Sequence, residues 1–306
     1  MAPTFDKVDV NERLGRAFLQ CGDVVGGFSF KSTSAPDIDA YTKVIKNASN
    51  TAPGVDGLPY AVWAADVNSS AETLLSVDDA MRWGAAPFIR FNTVILTFAP
   101  KGDDPNDAVE VLRHPGDLRP IALKCTSNNC IGGAWHRMLR PAMRLLITFN
   151  QKAFVPGNSI EQNVIALDAE LRATSSSAPS TSYPILVAFD VKAAFPSLVH
   201  QWILCVLKHT SASKAMLVVV LGLYDMVFAY ALVAGHTSAM AKVGRGILQG
   251  DPLSGDIFVI STQPFFVALD KAIDQNQFGV LDGVPMILGL YFEPLFTYVL
   301  SREYWI

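Results

Sequence analysis

Charge is scarce in this chain. Asp, Glu, Lys and Arg make up only 17% of its 306 residues, half are hydrophobic, and the formal net charge is -4. Such a composition excludes a disordered polyelectrolyte. It also carries no overall basic signature, so any nucleic-acid binding has to come from a local patch. Cysteine is scarce as well. Cys21, Cys125, Cys130 and Cys205 stand apart without a CxxC pair, which argues against a zinc site or a disulfide framework and points to a reducing compartment. The opening "MAPTFDKVDVNERLGRAF" is charged early and lacks an apolar stretch, so no secretory signal is expected there. No internal repeat is present, and the length suits one large domain or two ordinary ones.

A further absence is local. Between Arg119 and Ile160 there is no Asp or Glu, while Arg119, Lys124, Arg137, Arg140, Arg144 and Lys152 all fall inside the interval. Arg137, Arg140 and Arg144 recur at i, i+3 and i+7, which places them on one face of a helix. That face is either a solvated surface or a phosphate-binding patch.

Long apolar runs are rare, and one imitates a membrane span. "AMLVVVLGLYDMVFAYALVA" at 215–234 is nearly long enough to cross a bilayer, but Asp225 sits at its middle and no Lys/Arg cluster flanks it. The competing reading is a buried helix ending near Asp225, then a strand from Val227 to Val233. Elsewhere "TVILTFAP" (93–100) and "LRPIALK" (118–124) read as strands, joined by an acidic, Pro/Gly-punctuated surface loop. "YAVWAADV" and "AETLLSVDDAMRW" read as helices, the second capped by Ser69 or Ser70. A helix is expected from Pro196 to about His209. A longer one should follow "GRGILQGDPLS", with Asp251 as N-cap and Pro252 at N1, so that its N-terminus points back at Gln249 and Gly250. "RATSSSAPSTSYP" at 172–184 is low in complexity and marks the best internal boundary.

"LVAFDVKAAFPSL" at 186–198 poses the chemical question. Asp190 ends an apolar run, where an ionised carboxylate is costly unless something pairs it. It is either a strand-end acid with its head in water or a metal ligand.

The ordered set "TAPGVDGLP", "PK", "LRPIAL", "QKAFVPGNSIEQNV", "FDVKAAFPSL" and "GRGILQGDPLS" resembles the characteristic segments of reverse transcriptases of the non-LTR retrotransposon type, over about residues 49–270. The resemblance implies an α+β right-hand polymerase, with an antiparallel palm sheet packed on helices. It divides the chain into an N-terminal helical extension (1–48), a fingers-like region (49–183) and a palm (184–306). It implies RNA-templated DNA synthesis by two Mg²⁺ ions held by Asp190 and the backbone carbonyl of Val191. Hard oxygen ligands suit that cation. Lys101 and Arg119 are expected to hold the triphosphate of the incoming nucleotide. Phe195 would lie under its sugar and favour deoxynucleotides, unless it is a core residue. Gln249 and Gly250 match the nucleotide-contacting turn. The implied partners are an RNA template, a DNA primer and deoxynucleotides, with Arg137, Arg140 and Arg144 along phosphate and no membrane.

The sequence departs from the family in its last third. An aromatic-Ala-Asp-Asp turn is expected some tens of residues after Gln249, and none occurs. "YFEP" at 291–294 is the nearest match, with Glu293 followed by Pro294, and Asp282 is a lone acid in an "LDG" turn. Asn158 stands where many relatives carry Arg. The expectation is therefore an incomplete palm without a thumb, a truncated or decayed copy that does not polymerise. The alternatives are a non-catalytic nucleic-acid-binding relic or a membrane protein spanning at 215–234.

Overall fold

The computed structural model describes residues 29–85, 89–105, 107, 113–147, 151–177, 185–189, 194–224, 227–233, 235–274, 286–292 and 296–300. Asp190, Val191, Asp225, Asp282, Glu293 and Pro294 lie outside them.

The first helices are α1 (Ile38–Asn47), α2 (Tyr60–Ala65) and α3 (Val67–Arg82). The N-cap of α3 is Asp66, not Ser69 or Ser70. Its carboxylate accepts from the Ser69 amide at 3.2 Å and from the Ser69 hydroxyl at 2.7 Å. An acid there faces the positive end of the helix dipole. Helix α4 (Thr126–Leu146) follows strands β1 (Val94–Pro100) and β2 (Leu118–Leu123). It buries Ile131, Ala134, Trp135, Leu139 and Met143, a stripe at helical spacing, each large side chain stabilising the fold by roughly 1.5–3 kcal/mol. Trp135 donates to Asp78 at 2.9 Å, and Asp78 also pairs with Arg82, whose guanidinium reaches the Pro36 carbonyl at 2.7 Å. Helices α3 and α4 and the segment before α1 are thereby tied at one point.

Helix α5 (Ile160–Ser177) and strand β3 (Ile185–Phe189) precede a short α6 (Ala194–Ser197) and α7 (His200–His209). The single helix expected from Pro196 is thus broken. The Phe195 carbonyl accepts from the Ile247 amide at 3.0 Å and the Leu198 carbonyl from the Gly246 amide at 2.6 Å, so a distant loop takes acceptors that a continuous helix would use itself. Helix α8 (Lys214–Tyr224) and strand β4 (Phe228–Val233) then divide the apolar run as the helix-then-strand reading expects. Among the described residues no helix is long and apolar enough to cross a membrane.

Strand β5 (His236–Lys242), helix α9 (Ser254–Asp274) and strands β6 (Met286–Phe292) and β7 (Phe296–Leu300) complete the order. One sheet runs β2-β1-β4-β5, with β1 antiparallel to β2 and parallel to β4. The other runs β3-β6-β7. Here β3 pairs parallel with β6, Phe189 opposite Leu290, and β6 pairs antiparallel with β7. Both sheets are therefore mixed where an antiparallel palm sheet was expected. The long excursion between β3 and β6, which includes α9, supplies the crossover that a parallel pair needs. The main core gathers α1, α3, α4, α7, α8 and α9 around Trp135, Leu139, Leu207, Leu223 and Ile257. A smaller one of Val94, Ala122, Val227, Ala229 and Leu248 fixes the first sheet to the loop before α9.

Candidate functional site

The six segments singled out in the sequence meet on one another. Strand β2 and the 244–254 loop that closes on it are the common elements. At its start, Ala99 of β1 faces Arg119, and the Lys101 amide donates to the Asp117 carbonyl at 2.8 Å. Lys101 and Arg119 are both exposed at this end of the ribbon. The Lys101 ammonium rests 3.2 Å from the Gly116 carbonyl. Beside them the connecting loop is stapled by Arg113, which holds Asp107 through two bonds of 2.7 and 2.6 Å. That pairing lowers the Asp107 carboxyl below its ordinary range.

Three residues further along β2, about 10 Å at the rise of a strand, the Ala122 amide donates to the Gln249 carbonyl at 2.8 Å. Gly250 follows with φ 108°, and a Cβ there would lie 2.7 Å from the Ala122 oxygen. Only glycine allows the turn to close on the strand. Next, Lys124 and Asp251 form an ion pair at 2.5 Å with side chains 1% and 0% exposed. The other Asp251 oxygen accepts from the Leu253 amide at 2.8 Å. Asp251 is therefore a buried pair member in the turn leading to α9, which starts at Ser254 rather than at Pro252 as expected. Tyr224 completes this polar knot. Its ring lies 5.8 Å from the Lys124 ammonium, its hydroxyl is 3.0 Å from Ser254 Oγ, and Ser254 Oγ donates to the Leu248 carbonyl at 2.8 Å. Burial pushes the Tyr224 phenol well above the ordinary tyrosine range.

The remaining segments attach nearby. Thr126, just past β2, donates to the Leu58 carbonyl at 2.9 Å and accepts from Trp63 at 2.8 Å, which pins the 49–59 loop against the start of α4. Gly246, at φ 87°, passes so close to Pro196 that a Cβ would stand 2.8 Å from its Cα. His200 Nε2 is 2.7 Å from the Gly246 carbonyl. Phe195, half-buried, stacks on Phe258 of α9 at 4.7 Å and 8°, with the Phe154 ring edge-on at 6.0 Å. Phe154 belongs to the 151–158 loop, which Asn158 closes by donating to the Gln151 carbonyl at 3.2 Å.

Arg119, Gln249, Gly250 and Phe195 are thus linked through one backbone network, with Lys101 one rung beyond Arg119. Asp190 and Val191 lie outside the described residues. The basic interval is corrected. Lys124 and Lys152 are buried, so its exposed cations are Arg119, Arg137, Arg140 and Arg144. One pair was not legible in the sequence. His136 Nδ1 lies 2.6 Å from Asp256 Oδ2, joining α4 to α9, and burial raises the Asp256 carboxyl above its ordinary range against the opposing pull of His136. With Asp251 and Asp256 committed to Lys124 and His136, no cluster of three or more potential ligands among the described residues is set to hold a metal.

The profile of the family described as "Reverse transcriptase (RNA-dependent DNA polymerase)" matches residues 100–287, more than half of the chain. Relatives include the "Transposon TX1 uncharacterized 149 kDa protein" of Xenopus laevis, 24% identical over 73% of this chain and 16% of that protein. Another is the "Retrovirus-related Pol polyprotein from type-1 retrotransposable element R2" of Nasonia vitripennis, 25% identical over 71% of this chain and 20% of that protein. The chain spans about a fifth or less of the length of these relatives. Its matched region contains every segment gathered around β2 except the 49–59 loop, and the chain belongs to the reverse transcriptase (RNA-dependent DNA polymerase) family, as a domain of the non-LTR retrotransposon type.

Proposed function

We propose that this chain carries the fingers and palm elements of a retrotransposon polymerase for RNA-templated DNA synthesis, and that the 306-residue polypeptide binds nucleic acid without polymerising by itself. The observation that supports the first part is the clasp of Gln249 and Gly250 on Ala122, three residues from Arg119. The turn that, in this reading, contacts the nucleotide closes against the strand that carries the triphosphate-binding cation. In this reading Lys101 supplies a point charge and Arg119 a bidentate fork for phosphate oxygens. Phe195, backed by Phe258, presents its bulk beneath the sugar.

The second part rests on the acids. Asp190 and the Val191 carbonyl would hold Mg²⁺, which in this chemistry activates the attacking 3′-oxygen and steadies the triphosphate. Two cations roughly 3.5–4 Å apart need several carboxylates to offset their repulsion. From Gln249 to Ile306 the sequence has no adjacent pair of acids. The parallel pairing of β3 with β6 brings the carboxyl ends of both strands to one sheet edge. The next residues in sequence are Asp190 and Glu293, one acid each.

Primer extension on an RNA template, in Mg²⁺ and then Mn²⁺ beside Asp190→Ala, tests this reading. No incorporation is expected. Incorporation that Asp190→Ala abolishes would refute the inactive reading and give Glu293, Asp282 or Asp256 the missing carboxylate. For binding, affinity for RNA should fall as salt rises, and Arg137, Arg140 and Arg144 replaced together by Ala should flatten that slope. An unchanged slope removes the patch from the binding face.

A further inference from the structure

Phe154 holds a backbone conformation that residues with large side chains rarely adopt. Its φ is 57°, in the left-handed region. Such strain persists only where the surroundings enforce it, and burial of the ring is not the reason here. Ala153 and Val155 on either side belong to the main core, whereas Phe154 is 40% exposed. The turn carries the ring out of the core and over to α9, where it enters a notch. Gly255, in the first turn of α9, has no side chain, and a Cβ on it would lie 2.6 Å from Phe154 Cδ1. Phe258 follows at i+3, so this notch and the platform on which Phe195 stacks share one helix face. The Phe195 ring is thereby held in two directions. Phe258 lies parallel to it at 4.7 Å and 8°, a contact over which rings can slide, while Phe154 meets it at 75° with centroids 6.0 Å apart. Phe195 itself stays half-buried, so part of its ring still faces outward.

Resting on the reading of Phe195 as the residue beneath the nucleotide sugar, we propose that Phe154 is the positioning residue that fixes the Phe195 ring and thereby sets how strictly ribonucleotides are refused. A 2′-hydroxyl adds one oxygen to the sugar, and an apolar wall rejects so small an addition only if it does not give way. A shift of about 1 Å is enough to change such a fit. The stack on Phe258 leaves that freedom in the plane of the ring. Phe154, set between the Gly255 notch and a turn fastened in the core by Ala153 and Val155, removes it. The strained turn then has a use, since it places a third aromatic ring where α9 supplies only a glycine.

The test measures nucleotide binding without chemistry. The whole chain is mixed in Mg²⁺ with an RNA template annealed to a DNA primer that ends in a dideoxynucleotide. A dGTP labelled on its γ-phosphate is then displaced by unlabelled dGTP or GTP opposite a template cytosine. The unsubstituted chain should favour dGTP by about tenfold or more. Phe154→Gly removes the ring and accepts a φ of 57° without strain, so the turn keeps its course. Gly255→Ala displaces the ring without deleting it. Each should lower the preference for dGTP by about threefold or more, and Phe154→Tyr, which keeps the ring, should retain it. Circular dichroism checks that the helices remain; should either ring variant lose them, the other decides. Equal weakening of both nucleotides would mean a merely structural role and would overturn the proposal. Phe195→Val separates the two levels. If it abolishes the preference while Phe154→Gly and Gly255→Ala leave it unchanged, the positioning role of Phe154 fails alone. If Phe195→Val changes nothing, or the unsubstituted chain binds neither nucleotide or favours neither, the reading of Phe195 fails and the proposal with it.

Discussion

Breaking the Lys124–Asp251 pair from one side should be among the most damaging changes available in this chain. The pair is sealed, with side chains 1% and 0% exposed, so removing one partner leaves the other charge without solvent or counter-ion. The expected loss for a buried pair broken in this way is about 3–5 kcal/mol. A second route gives a similar ceiling. A stranded group can neutralise itself by taking or giving up a proton, which at neutral pH costs about 4 kcal/mol for an ordinary carboxylic acid. Asp251→Asn isolates the charge, since the amide oxygen can still accept the Leu253 amide that Asp251 now accepts at 2.8 Å. Lys124→Met breaks the same pair from the other end and keeps most of the volume. Replacing both together, Lys124→Met with Asp251→Asn, removes both charges, and the double variant should be more stable than either single one. Urea unfolding of the four proteins, followed by tryptophan fluorescence, closes the cycle. Single losses below about 1 kcal/mol, or a double variant worse than the sum of the singles, would refute the account of a dry, mutually dependent pair.

Gly250→Ala and Gly246→Ala should each destabilise by about 1–3 kcal/mol through backbone strain and contact with Ala122 and Pro196. Gly235→Ala, at φ 79° with nothing within 4 Å, should lose only about 1 kcal/mol; equal losses at all three would remove the close approach as a cause. Because burial raises the Asp256 carboxyl in the folded chain, the folded state binds that proton more tightly than the unfolded state. Its stabilising contribution is full below the unfolded value and is lost as pH rises through the folded one. Asp256→Asn should therefore gain on the unsubstituted chain as pH rises from about 4, and a pH-independent difference in urea midpoints counts against it. Phe195→Ala should cost about 3 kcal/mol or more if the Phe258 stack is core packing, and under about 1 kcal/mol if the ring serves mainly the site, as the same unfolding measurement reads directly.

Much of the fold around the site follows from local pattern. β1 is a β-branched and aromatic run with a proline stop and β2 a short run before Lys124, and both form where the sequence reading places them. The apolar run at 215–234 divides into α8 and β4 because helix and strand preferences change sides near Asp225. The three arginines of α4 share an exposed face because its buried stripe keeps helical spacing. What could not be read depends on partners far away in the chain. Lys124 looks like a surface cation until Asp251, 127 positions on, closes over it. The break between α6 and α7 has no glycine or internal proline at Leu198 or Val199 to announce it, since the residues that cause it are Gly246 and Ile247. The parallel alignment of β3 with β6 was equally hidden, because period-two alternation specifies a strand but not the direction of its neighbour.

The same contrast explains why the segments resembling the family were legible as a set while their individual roles were not. Each was singled out for a chemical duty, yet the described contacts show several of their residues holding one another. Asp251 of "QGDP" neutralises Lys124, the carbonyl of Gln249 caps Ala122, and Gly246 makes room for Pro196. Sequence constraint in such segments therefore has two sources. One is contact with a ligand, the role proposed above for outward groups such as Lys101 and Arg119. The other is the close packing that sets those groups in register, and it survives whether or not chemistry takes place. A chain that keeps the packing residues while its acids stand singly will still match the family profile and still build the scaffold. Its similarity then measures the folding of the site, whereas its activity turns on the few carboxylates that the packing does not require.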